Sequence, residues 1–244
     1  MSSAPDLSER IFRHQRSMIA VSLAALVILC WWYVTTAASA SSAAMAGMAS
    51  PSLAGLIAMW WLMMAAMMIP SAAPAILLYA RIRHQRRQQP VIATTWLFVL
   101  GYLAVWLLFS CAAAAVQLRV AGPAVELLHP ALASAFLIIV GAYQLSPIKS
   151  MCLRQCRSPA LFLSRHWRAG AIGAVRLGVL HGAYCFGCCW LLMALLFVGG
   201  VMNLVWVVGL TLIVAVEKLV PRGDWFGRAA GVALIGWGAL RLLA

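Results

Sequence analysis

Apolar residues in this chain fall in long unbroken runs, not in strict alternation or in short amphipathic stripes. Seven runs stand out: Met18–Thr36, Leu53–Tyr79, Val91–Leu118, Pro130–Leu145, Ala171–Val198, Val201–Val220 and Trp225–Leu242. A bilayer core about 30 Å thick takes roughly 20 apolar residues per helix. The fourth run is the shortest and can borrow a turn from Leu127–His129. None shows the period of two that marks barrel strands, and an open sheet leaves backbone groups unsatisfied in lipid. The pattern predicts an all-α fold: a polytopic membrane helical bundle of about seven transmembrane helices, forming one integral domain over residues 1–244.

Composition agrees. The chain is 65% hydrophobic and 9% charged, against about 45–50% and about 25% for soluble domains. A soluble enzyme, a disordered tail and a small disulfide scaffold are excluded. The formal charge of +13 would ordinarily raise nucleic-acid binding, but too little polar surface remains to carry a nucleic-acid footprint. The basic residues follow the connections instead. Arg10, Arg13 and Arg16 precede the first run, and Arg81, Arg83, Arg86 and Arg87 join the second to the third. Lys149, Arg154, Arg157, Arg165, Arg168 and Arg176 lie around the fourth-to-fifth connection, and Lys218, Arg222 and Arg228 around the last. Only Arg119 and Arg241 fall on the other side. The positive-inside rule then puts the N-terminus in the cytoplasm and the C-terminus outside. Residues 1–17 read as a cytoplasmic tail, 37–52 as an external loop, and 148–170 as a cytoplasmic connection with an interfacial helix. The first run also resembles a secretory signal with an Ala-x-Ala site. Its length, and the Trp31-Trp32-Tyr33 belt, favour a retained helix.

Soft ligands are unevenly distributed. Cys185, Cys188 and Cys189 lie midway along the fifth run, in His181-Gly-Ala-Tyr-Cys-Phe-Gly-Cys-Cys-Trp190. At helical spacing, His181 and the three cysteines share an arc of about 100°, and Met193 continues it. Three thiols and an imidazole on one stripe suit Cu(I), with Zn(II) possible; the plainer alternative is small residues packing a helix seam. The second run holds Met59-Trp-Trp-Leu-Met-Met-Ala-Ala-Met-Met-Ile-Pro70, whose methionines form the rows Met59/Met63/Met67 and Met64/Met68. Counted from the cytoplasmic ends at about 1.5 Å per residue, Met67 comes level with Cys185, and Met63 and Met64 with Cys188 and Cys189. Gap-filling packing is the competing account of such rows. Pro70 and Pro74 kink the same helix.

Two features lie toward the cytoplasmic face. Cys152 and Cys156 are four residues apart beside Lys149 and several arginines, suited to accept a soft metal or to exchange thiols. Glu217, next to Lys218, is an acid inside the sixth run and a functional candidate by position, although a pair with Lys149 or Lys218 would also account for it. Met45 and Met48 in the outer loop form a weaker candidate. No phosphate loop, catalytic triad or zincin motif is present, so no catalytic residues are assigned.

Several strings resemble a bacterial group, the predicted metal-binding integral membrane proteins, known mainly as a domain of unknown function. They are Trp61-Leu-Met-Met-Ala-Ala-Met-Met-Ile-Pro70, Tyr143-Gln-Leu-Ser-Pro-Ile-Lys149, Cys152-x3-Cys156-Arg-x-Pro159, Gly182-x2-Cys185-x-Gly187-Cys-Cys-Trp-x2-Met193 and Glu217-Lys218. The resemblance implies a multi-span bacterial inner-membrane protein that binds metal. The expectation is a bilayer-embedded protein that holds a soft ion, copper(I) before zinc, on Cys185, Cys188 and Cys189. His181, Met63, Met64, Met67 and Met193 would assist, and Cys152 and Cys156 would exchange metal with a cytoplasmic carrier or a metalloenzyme client. A membrane thiol–disulfide oxidoreductase using Cys185 and Cys188, and an assembly partner without a bound ion, are the alternatives.

Overall fold

A computed structural model describes residues 7–44, 52–88, 90–120 and 130–243. The described residues form ten helices and no strand: α1 (Leu7–Ala44), α2 (Leu53–Gln85), α3 (Val91–Val120), α4 (Pro130–Gln144), α5 (Pro147–Arg157), α6 (Pro159–His166), α7 (Gly170–Ala194), α8 (Leu196–Gly199), α9 (Leu204–Leu219) and α10 (Gly223–Leu243). Every one of the seven apolar runs is helical. Five spans are long and apolar enough to cross a membrane, α7 counted together with α8. Helices α4 and α5, bent by 58° at their junction, pass only as a pair, which makes six if the pair is one broken span and five if it is a re-entrant loop. The remaining run is α9, whose 16 residues reach about 24 Å. Helix α1 continues to Ala44, past the point where the small-residue tract suggested a loop; alanine is the best helix former. Met45, Met48 and Leu127–His129 lie outside the described residues.

Local chemistry sets the breaks. Helix α4 stops before Ser146-Pro147, since a residue preceding proline is pushed out of the α region. Ser146 then caps α5, its Oγ accepting from Lys149 N at 3.2 Å, with Pro147 at the first helical position, where its missing N–H costs nothing. Pro159 likewise opens α6 at its first helical position, although Ser158 makes no side-chain cap. Asn203 caps α9, its side chain accepting from Val205 N at 3.0 Å.

Helix α3 packs along both α2 and α7, α10 lies along α4, and α5 and α9 close the side between these groups. Small residues permit the close crossings, as expected for helices that pack without a hydrophobic drive between them. A Cβ at Gly178 would strike the carbonyl of Phe98, and one at Gly141 the carbonyl of Gly231. The result is a core in which Met63, Met64, Met67, Met68, Cys185, Cys188, Cys189 and Met193 are all buried.

Candidate metal centre

The cysteine stripe of α7 faces inward and meets four other helices, α2, α3, α5 and α9. Cys188 and Cys189 each direct a thiol to the carbonyl of Cys185, both at 3.0 Å. Such bonds to the previous turn are available only to short side chains, and they hold the sulfurs close to the α7 axis. Cys189 Sγ lies 3.8 Å from Met68 Sδ of α2. Cys156 of α5 lies near enough to Cys188 for the two thiols to influence one another across the α5–α7 interface. Cys152 stands beside them, its Sγ 2.8 Å from where a Cβ on Gly187 would sit. The glycine in Cys-x-Gly-Cys-Cys therefore makes room for α5, and Tyr143 ties the same point by donating its hydroxyl to the Gly187 carbonyl. Cys152 and Cys156 are half-buried, whereas Cys185, Cys188 and Cys189 are buried.

Polar side chains surround this sulfur line. Tyr102 of α3 shares a hydrogen bond with Cys185 Sγ at 3.0 Å and reaches the Met68 carbonyl at 3.2 Å. Lys218 of α9 donates to Cys185 Sγ at 2.9 Å and to Ser71 Oγ at 3.2 Å. Its ammonium thus faces a sulfur and a hydroxyl, where it can offset the negative charge that thiolate ligands bring into a low-dielectric interior. The preceding residue points elsewhere. Glu217 pairs with Lys149 at 2.7 Å, with both side chains almost fully buried, and accepts from Gln144 Nε2 at 2.8 Å. Lys149 also donates to Gln144 Oε1, so acid, base and amide satisfy one another. Of the two partners considered for Glu217, Lys149 is the one it has.

The remaining candidates are less closely joined. His181 lies one turn before Cys185, with its ring among Phe98, Tyr102 and Phe162 at centroid distances of 6.0, 5.8 and 5.2 Å. Its Nδ1 is buried without a hydrogen-bond partner, a costly state for a polar atom unless a ligand or proton meets it. Met63, Met64, Met67 and Met193 are buried in the core, but the thioether that reaches a cysteine is Met68. Level counting paired Met67 with Cys185 and Met64 with Cys189. Counting along straight axes takes no account of helix tilt, and α3 lies against both helices. Tyr102 and Ser71 carried no signal in the sequence beyond ordinary residue type, and Lys218 stood out only as the neighbour of Glu217. Met68 was visible only as a member of the second methionine row.

Among the described residues, no three His, Cys, Asp or Glu side chains close into a cage around one point. The sulfurs are joined in pairs instead. A structural zinc site wants four closed donors, whereas a soft monovalent ion takes thiolate and thioether together at low coordination number. Thiols and a thioether are donors of the kind soft metal ions prefer.

A family model described as PpoB2, copper chaperone, matches residues 57–241, from within α2 to within α10. No curated protein and no solved structure gives a match.

Proposed function

The chain belongs to the PpoB2 copper chaperone family, and from that premise we propose that it binds copper as Cu(I) inside the membrane and delivers it to a client protein. The observation that carries this reading is the Cys189–Met68 contact at 3.8 Å, which joins thiol and thioether from two helices in one buried cluster. Sulfur of both kinds selects Cu(I) over harder ions. The bilayer setting is supported by five helices of spanning length and by basic residues concentrated on alternate connections. On the positive-inside rule the α5 end faces the cytoplasm of a bacterial inner membrane.

The route follows the sulfurs. Cys152 and Cys156, half-buried on α5, receive Cu(I) from a cytoplasmic carrier. Cys156 lies near Cys188 across the α5–α7 interface, so the ion can pass between them with little exposure to solvent. A bond from copper to the incoming sulfur forms as the bond to the outgoing sulfur breaks, and the incoming thiol gives its proton to the sulfur that lets go. Copper stays monovalent throughout. Cys185, Cys188, Cys189 and Met68 hold the ion deeper in the bundle, with His181 Nδ1 one turn away as a further donor. Lys218 balances the charge of the thiolates, and Tyr102 fixes Cys185.

Delivery is tested by uptake from a Cu(I)–glutathione complex into the purified, reduced protein, followed as bound copper against time. Wild type is expected to load fully, and Cys152→Ser/Cys156→Ser to load to the same level more slowly. Equal loading rates in the two proteins would remove the relay. Formation of a reversible disulfide between Cys185 and Cys188 with no copper bound would move the assignment to the redox alternative.

A further inference from the structure

Away from the sulfur cluster, a cavity of about 540 Å³ opens at the elbow between α4 and α5, against the start of α10. Its walls carry Lys149, Arg154, Arg157 and Arg228 against one acid, Asp224. Two of these cations are already engaged. Lys149 is paired with Glu217, and Arg157 with Asp224 and the carbonyls of Val220 and Pro221. Arg154 and Arg228 both line the cavity and are exposed, so the open space carries a surplus of positive charge.

We propose that this cavity binds a phosphate ester, with Arg154 and Arg228 as the residues that hold the phosphate. Planar guanidinium groups are suited to phosphate oxygens. The volume lies within the roughly 300–1,000 Å³ of small-molecule pockets, which leaves room for an organic group attached to the phosphate. Two sources share this chemistry, a phospholipid headgroup and a soluble phosphate ester. The surroundings favour the lipid. Leu145 on the cavity wall, Ile148 and Met151 on α5, and Trp225 and Phe226 beside Asp224 are exposed large apolar residues with 46, 62, 65, 69 and 58% accessibility. Aromatic and apolar side chains flanking a basic pocket at the helix ends are the setting in which headgroups are bound.

The test uses the full-length protein in a neutral detergent. Native mass spectrometry counts retained phosphatidylglycerol and phosphatidylcholine of identical chains, and glycerol 3-phosphate and inorganic phosphate are titrated separately without lipid. Retention of phosphatidylglycerol over phosphatidylcholine is expected, falling about fivefold for each arginine replaced in Arg154→Gln and Arg228→Gln. Arg86→Gln/Arg87→Gln, on another connection, should leave it unchanged. Saturable binding of glycerol 3-phosphate that needs Arg154 and Arg228 would support the site and assign it to a soluble ester. Equal retention of both lipids with no binding of either phosphate overturns the proposal. So does a preference for anionic lipid that survives Arg154→Gln/Arg228→Gln. Both arginines are exposed, so these variants should fold.

Discussion

Glutamine at position 217 would keep the shape of the buried acid and remove its charge. Lys149 would then hold an uncompensated ammonium 2.7 Å from the former carboxylate oxygen, with both side chains only 2–3% exposed. At an effective dielectric of about 20 the pair attracts by about 6 kcal/mol, of which desolvation takes back a large part. Removing one partner from such a pair typically costs about 3–5 kcal/mol. Two features favour the lower end: the amide still accepts a hydrogen bond, and Lys149 borders the α4–α5 cavity, which can admit water. We expect Glu217→Gln to destabilise the protein by about 3 kcal/mol, measured by reversible unfolding in mixed micelles. Lys149→Met/Glu217→Gln should recover at least half of that loss, because it strands no charge and leaves Gln144 to pair with the new amide. A loss under about 1 kcal/mol, or strictly additive single losses in the double variant, would refute the account of a coupled buried pair.

Other substitutions separate packing from ligation. Met68→Leu nearly conserves volume and should cost under about 1.5 kcal/mol in stability, while weakening Cu(I) binding about tenfold in competition with a colorimetric chelator; unchanged affinity would take Met68 out of the site. Gly187→Ala puts a methyl 2.8 Å from Cys152 Sγ, so it should destabilise by about 1–3 kcal/mol and slow copper uptake in the glutathione assay. Gly227→Ala places a Cβ 2.7 Å from Glu217 Oε1, and its loss in the same unfolding assay should shrink when Glu217 is already glutamine.

The apolar runs announced the helices because hydrophobic length is a one-dimensional property. Proline at 147 and 159 breaks the helices for equally local reasons, although only the structure drew attention to it. The cysteine stripe was also readable, since residues at spacings of three and four share a face whatever lies opposite. What lies opposite was not. Met68 instead of Met67, Cys156 as the neighbour of Cys188, and Lys218 aimed at Cys185 while Glu217 turns to Lys149 all depend on which helices touch and at what tilt. Glycines decide much of that by letting α3 close on α7 and α10 on α4, yet a glycine in a sequence does not name its partner helix. The tract Ala37–Ala44 misled in a simpler way: small residues read as loop also make good helix, and α1 runs through them.

The central claim is that Cys185, Cys188, Cys189 and Met68 form a Cu(I) site. Its most direct measurement is metal content with copper-edge X-ray absorption on the reduced protein, equilibrated with buffered Cu(I). The account predicts close to one copper per chain with sulfur-dominated coordination, lost in Cys188→Ala/Cys189→Ala. Absence of bound copper in wild type, or copper retained by that variant with nitrogen and oxygen neighbours, would contradict it.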